Sequence, residues 1–333
     1  MKKSLLLAAL TLMSASAFAS SARVSALQSA AHLSDATKVL TNPDEATKYG
    51  EWALFEFGAT AAANGGFVRG SADSAWGFYL GNNDTDLTRS AGFLALENPF
   101  NVFYGAKAGD MTWGLGLLYS NSDKKTTSKK QTAQVLTASM TMGDWDASLK
   151  FGLANTADGA GATTDTYKGK SLMDIKAGYK MDNLYFYGQI KSSEKEVNTG
   201  AAVVTKGSVT KLGVVNSMKK DGADFFYGAA YSMTSNDVGG TKTDTTEMPV
   251  IIGVEADAAS WMVLRASLTQ NVLLGTTKTT VEDTTADNTT VAAGLGMKWN
   301  KWTLDGVLSA GTTGNFGLDG ANFMSNASLT YMF

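Results

Sequence analysis

The chain has 333 residues, of which 28 are basic and 31 acidic, for a formal net charge of −3. That mildly acidic balance offers nothing to a nucleic-acid partner, and the absence of cysteine rules out disulfides and thiolate metal sites. Glycine is abundant (35) and proline scarce (3), which suits many strands joined by turns and argues against an α-helical enzyme.

Residues 1–19 read as a secretory leader. Lys2 and Lys3 precede an apolar run from Leu5 to Met13, and Ala17-Phe18-Ala19 forms a small-x-small cleavage site. The run is too short to span a bilayer, so cleavage after Ala19 is expected. Residues 20–50 do not alternate. Val24, Leu27, Ala31, Val39 and Leu40 have approximate helical spacing. Asn42-Pro43-Asp44-Glu45, closed by Gly50, reads as a capped short helix. This segment is expected to be either a helical plug or a periplasmic arm. It holds the one histidine, His32, which is expected at the surface.

From residue 51 the pattern changes to period two, the signature of strands with two unlike faces. "EWALFEFGAT" (51–60) and "GGFVRGS" (65–71) form a first pair. Fourteen further segments run from the one at Trp76 to the C-terminus. In "WMVLRASL", Met262, Leu264, Ala266 and Leu268 oppose Arg265 and Ser267; in "MPVIIGVEAD", Met248, Val250, Ile252 and Val254 oppose Glu255 and Asp257. Sixteen strands are expected, with fourteen as the alternative if residues 51–71 fold inside. Tight connections such as "GD" (143–144), "DN" (182–183) and "NK" (300–301) alternate with longer polar ones. Short turns at one end and longer loops at the other suit an outer-membrane barrel. A bilayer admits only structures that pair every backbone polar group. The expected fold class is therefore all-β: a transmembrane antiparallel up-and-down barrel over residues 51–333.

Trp52, Trp76, Trp113, Trp145, Trp261, Trp299 and Trp302 all lie near the short turns, as one interfacial aromatic girdle would. Residues 82–99, "NNDTDLTRSAGFLALENP", include an apolar, proline-terminated stretch suited to a loop folded into the barrel mouth. Arg89 and Glu97 are its expected pore charges. Ionisable residues on the inward parity are tolerable only beside water. The pore-lining set is Lys107, Lys150, Lys176, Lys191, Lys211, Glu255, Arg265, Lys298 and Asp305, with Lys180, Glu56, Asp146, Asp174 and Asp257 on the same parity. A sixteen-strand interior is too wide for side chains alone to fill. A water-filled channel with mild anion preference at low salt follows. With one histidine and no cysteine, no catalytic residue, metal site or cofactor is expected, and no enzyme activity. The glycines of "GLGLLY" and "GLGMKW" precede strands, so they read as small lumen-facing residues rather than a phosphate loop.

The terminal "SNASLTYMF" places Leu329, Tyr331 and Phe333 on alternate positions. It resembles the C-terminal assembly signal of Gram-negative outer-membrane barrels. The resemblance implies recognition by the barrel-assembly machinery and puts the short turns on the periplasmic side. The stretch from residue 20 through "FEFG" and "SAWGFYLGN" resembles the porin-like major outer-membrane proteins of Bdellovibrio-type bacteria. Its Arg…Leu…Asn-Pro spacing also resembles the hatch of fatty-acid-transporter-type barrels. The function these readings imply is a porin for passive diffusion of small hydrophilic solutes and ions. The alternatives are a gated transporter for hydrophobic compounds, closed by an N-terminal hatch, and a structural barrel. Outer-membrane lipid and lipopolysaccharide are the expected surroundings, and a homotrimer is left open.

Overall fold

The computed structural model describes residues 20–58, 63–161, 164–278, 282–284, 289–310 and 326–333; the expected leader lies outside them. Sixteen antiparallel strands close on themselves among the described residues. They are β1 (Trp52–Gly58), β2 (Asn64–Gly70), β3 (Ser74–Leu80), β4 (Phe100–Ala108), β5 (Met111–Lys124), β6 (Lys129–Met142), β7 (Trp145–Asp158) and β8 (Thr166–Met181). They continue as β9 (Leu184–Asn198), β10 (Ala202–Lys220), β11 (Ala223–Val238), β12 (Thr241–Ala259), β13 (Met262–Lys278), β14 (Thr290–Trp299), β15 (Trp302–Ala310) and β16 (Asn326–Met332). A three-residue return strand, Glu282–Thr284, pairs with the end of β13. Closure is made by β1 against β16, in register from Trp52↔Met332 to Gly58↔Asn326. Residues 52–58 and 64–70 thus belong to the wall, and the fourteen-strand alternative falls away.

An even strand number brings both ends of the barrel to one rim. There the Phe333 amide donates to the Glu51 carbonyl at 3.1 Å. The tight turns sit at this rim too. Asp182 and Asn300 adopt positive φ (54° and 55°), as two-residue hairpin turns require. At the opposite rim the strands run further than the alternation predicts. The expected segment 207–219 is part of a 19-residue strand, and 248–257 is part of another. Above the apolar band both faces are wet, so side chains stop alternating while Thr-rich sequence still favours extended backbone.

Large apolar side chains point outward and are exposed, among them Phe55, Leu115, Phe151, Ile190, Leu212 and Leu264. Their chain neighbours point inward. Residues 20–50 lie inside this wall. They form a short helix α1 (Ser21–Ala26) and two 3-10 turns, Ala36–Leu40 and Pro43–Thr47. The expected helix after Asn42 is thus a single 3-10 turn, and the Asn42 side chain makes no cap bond to it.

Candidate functional site: the lumen and its two insertions

The first insertion is the N-terminal segment. Ser20 caps α1, its Oγ accepting from the Arg23 amide. That helix aims Arg23 at β12, where Nε and Nη2 donate to the two Glu255 oxygens at 2.6 and 2.9 Å. Arg265 on β13 bonds the same carboxylate at 2.5 Å and Asp305 on β15 at 2.7 Å. Burial works against the Arg23 charge, but its hydrogen bond and charge contact with Glu255 hold the guanidinium above its ordinary value. Fork-to-carboxylate pairing of this kind fixes orientation as well as energy.

Past the helix, Leu27, Ala30 and Leu33 pack on Val215 and Phe226. Further on, Val39, Ala46 and Tyr49 join Trp52, Leu54, Val68 and Phe103 in a second apolar cluster. The Pro43–Thr47 turn presents Asp44 to β6. Its carboxylate accepts from the Ser139 and Thr141 hydroxyls, the latter at 2.6 Å. Burial pushes the carboxyls of Asp44 and Asp35 up. Glu45 goes the other way: burial opposes its charge, but Lys38 and Lys48 hold it down. Thr141 lies two residues before the 143–144 turn, so this insertion forms a floor near the short-turn rim.

Three glycines seat that floor. A Cβ on Gly114 would lie 2.2 Å from the Asp44 nitrogen, and one on Gly294 2.5 Å from the Ala26 Cβ. Gly105 would meet the Pro43 carbonyl at 2.8 Å. The glycines of "GLGLLY" and "GLGMKW" are therefore small where another part of the chain must approach closely.

The second insertion is the connection between β3 and β4, residues 81–99, which folds inward from the long-loop rim. Asp84 caps a 3-10 turn, Thr85–Leu87. Leu87 is buried against Leu118, Ala133, Val135 and Leu172. Asp84 and Asp86 bind Lys150 at 2.5 and 2.6 Å, and Asp86 also binds Lys191. Burial opposes the Asp86 charge, yet these two lysines keep its carboxyl below the ordinary carboxylate range.

Between floor and loop lies a polar cavity of about 490 Å³, lined in part by Thr37, Asn101, Thr137, Lys176 and Gln189. On the far side of the loop lies a second of about 500 Å³, reaching Ser193, Thr205 and Asn236. Thr85, Asp86 and Lys191 line both. The acid–lysine cluster is thus the waist between two polar chambers.

Several expected site residues stand elsewhere than the sequence places them. Glu255, Arg265 and Asp305 do not border open water. Arg265 and Asp305 side chains are 2% and 0% exposed because the N-terminal segment covers them. Arg89 lines the upper chamber but is held as an anchor: it bonds Asn155, Gln131 and the carbonyls of Thr132 and Leu94. Glu97 pairs with Lys124 at 2.5 Å and holds the Ser120 hydroxyl through its carbonyl. Lys176 faces the lower chamber with Asp174 at 3.7 Å, Lys211 lies over the Tyr187 ring, and Lys298 reaches Asp257 at 3.5 Å. Lys107 is exposed beside its turn. Trp76, Trp145, Trp261 and Trp299 are exposed on the outer wall, Trp302 lies tilted against Tyr331, and Trp113 lies against Tyr104. Trp52 is the exception. It is fully buried in the lumenal cluster because it shares the inward parity of Leu54 and Glu56. Leu329 and Tyr331 lie on the outer parity of β16, and the Phe333 ring meets Tyr331 edge-on and the Arg69 guanidinium.

The sequence missed Asp84 and Asp86. It also misplaced His32, whose ring is partly buried on Phe226 with 4.7 Å between centroids. Neither ring nitrogen has a partner among the described residues. Burial lowers its pKa to about 4.

No protein-family model matches the chain, and no curated protein matches it. Among solved structures, it is similar to OmpT, an outer membrane protein of Vibrio cholerae, at 13% identity and a TM-score of 0.42, covering 84% of this chain and 94% of that one. It is also similar to Salmonella typhi OmpF in complex with daunomycin, at 11% and 0.40, covering 85% and 96%. The FrpB iron transporter from Neisseria meningitidis aligns at 9% and 0.42, over 78% of this chain and 53% of that one. At such values the fold rests on the strand pairing described above.

Proposed function

We propose that the protein is a channel of the Gram-negative outer membrane through which small hydrophilic solutes and ions diffuse passively. In this reading residues 1–19 are a cleaved leader, residues 20–50 a lumenal floor, and residues 51–333 the membrane barrel. A closed sheet with an apolar outer face satisfies its backbone in lipid, and the C-terminal aromatic residues serve assembly. Lipid and lipopolysaccharide are its surroundings, the barrel-assembly machinery its partner in biogenesis, and a homotrimer its candidate assembly. The observation that carries the reading is the pair of polar chambers meeting at Thr85, Asp86 and Lys191. Hydroxyls, amides and paired charges are a poor surface for a hydrophobic cargo and a good one for hydrated solutes. Because Lys150 and Lys191 are paired with acids, ion preference is weak. Liposome swelling tests this. Purified protein should admit small neutral sugars, with uptake falling steeply as the sugar grows. The second reading, a gated transporter for hydrophobic compounds, draws on the apolar clusters that hold the floor. It predicts no swelling until residues 20–50 are removed.

A further inference from the structure

The floor is clamped by a buried set of charges that does not balance. Three carboxylates belong to it, Glu56, Glu255 and Asp305, against two guanidiniums, Arg23 and Arg265. Both guanidiniums bind Glu255, and Arg265 also binds Asp305. Glu56 is 7% exposed, and no ion pair reaches it among the described residues. It accepts instead from the Ser21 amide at 2.7 Å, the Tyr79 hydroxyl at 2.5 Å and the Ser328 hydroxyl at 3.4 Å. Its side chain also borders the lower polar chamber, and a carboxylate this little exposed is still costly without a counter-charge.

Ser20 is itself buried, and its hydroxyl donates to Asp305 at 3.1 Å. Its main-chain nitrogen is one residue before the Ser21 nitrogen that binds Glu56. Bond lengths keep the two nitrogens within about 4 Å of each other. That nitrogen therefore lies within about 7 Å of a carboxylate oxygen of both Glu56 and Asp305, near enough for a freed terminal ammonium to turn onto Glu56. While the leader is attached it is a neutral amide.

We infer that cutting the leader after Ala19 installs a missing charge: the new α-ammonium of Ser20 is the counter-ion of Glu56 and locks the floor onto the wall. The inference rests on the leader reading above. Hydrolysis adds one water across Ala19–Ser20. The carboxylate leaves with the leader, and the Ser20 amine takes up a proton from solvent. Three positive groups then face three negative ones. The processing site is thus also a docking site, and the plug is completed only in the exported, trimmed chain.

A double-mutant cycle tests this. Chains starting at Ser20 are refolded in detergent and compared with chains bearing a Gly-Gly-Ala extension before Ser20, each with Glu56 or with Glu56→Gln. Closure of the barrel is checked by strand circular dichroism, and docking is read as resistance of residues 20–50 to proteolysis. With Glu56 present, the extension should lower resistance at least tenfold. In the Glu56→Gln background it should lower it less than threefold, because the extension's bulk is common to both and the charge is not. Equal loss in both backgrounds overturns the inference. A second readout needs no variant at Glu56. An α-amine gaining a carboxylate partner is stabilising below its unfolded pKa of about 8, so the Ser20-start chain should lose resistance as pH rises above that value and the extended chain should not. A flat profile also overturns it. The intact mass of the protein extracted from membranes tests the leader separately. A chain retaining residues 1–19 would refute cleavage while leaving the refolding comparison readable.

Discussion

The two insertions occupy the same lumen but are held by different physics. The N-terminal floor is anchored by two apolar clusters, a buried Arg23–Glu255–Arg265–Asp305 network and glycine seats in three strands. The inward loop is anchored by Leu87 in one small apolar cluster and Phe93 and Leu94 in another, by Arg89 on amides and carbonyls, and by acid–lysine pairs that line the polar chambers. The first resembles a folded core laid across the barrel. The second is a smaller mixed strut whose acid–lysine pairs face the polar chambers. Buried charge and apolar packing are therefore concentrated in the floor, and chamber-facing charge in the loop.

Breaking the floor's main clamp should have the largest effect. Arg23→Ala leaves Glu255 with one guanidinium in place of two and removes the bidentate contact, at a cost of about 3–5 kcal/mol in docking. Hydrogen exchange across residues 20–50 should rise sharply, while exchange across the loop stays unchanged. On the loop side, Asp86→Asn removes the Lys191 pair but leaves Lys150 held by Asp84. A loss of about 1.5–3 kcal/mol in loop anchoring is expected. The more diagnostic reading is a reversal potential moved toward anions at low salt, fading as salt screens the freed lysine.

Gly114→Ala separates packing from charge. The added methyl would press on the Asp44 amide, so about 1–3 kcal/mol of floor docking is lost by overpacking. The barrel melt should be unaffected, since Gly114 pairs only through its backbone. The smallest effect concerns pH. His32 is held neutral, its pKa lowered from 6.5 to about 4. Docking is fully supported above 6.5 and weakens as pH falls toward 4, by at most about 3 kcal/mol and less because the ring is partly exposed. Asp35 and Asp44, raised by burial, act in the opposite direction and gain as pH falls. His32→Phe keeps the ring on Phe226 and removes the titration. The variant's proteolytic resistance should therefore decline less than the wild type's across that window.

Much of this architecture is legible in the sequence because a strand with unlike faces must alternate. The strand count follows from that, down to the first pair, expected at 51–60 and 65–71 and found at 52–58 and 64–70. The inward loop is legible as well, because "GFLALENP" is too apolar for a solvated connection. Its chemistry is harder to read. Arg89 reads as a free lumenal charge, but in the upper chamber it is already bound to Asn155 and Gln131, partners 66 and 42 residues away. Asp84 and Asp86 look like ordinary loop acids; the two-residue spacing that lets one cap the turn and both meet Lys150 is their only local sign. Trp52 could have been placed correctly, since it shares the parity of Glu56 and one strand cannot send the two to opposite sides. The glycine seats were visible only as small residues, because what they accommodate comes from elsewhere in the chain.

The central claim is that residues 20–50 and the inward loop together narrow a wide barrel to a polar waist. Single-channel conductance in planar bilayers tests it most directly, comparing the chain from Ser20 with one lacking residues 20–50 and one lacking residues 91–97. A small, steady conductance is expected for the full chain, with a rise of several-fold in each deletion and the larger rise for the floor. Equal conductance for all three, with the barrel intact, would mean that neither insertion borders the conducting path.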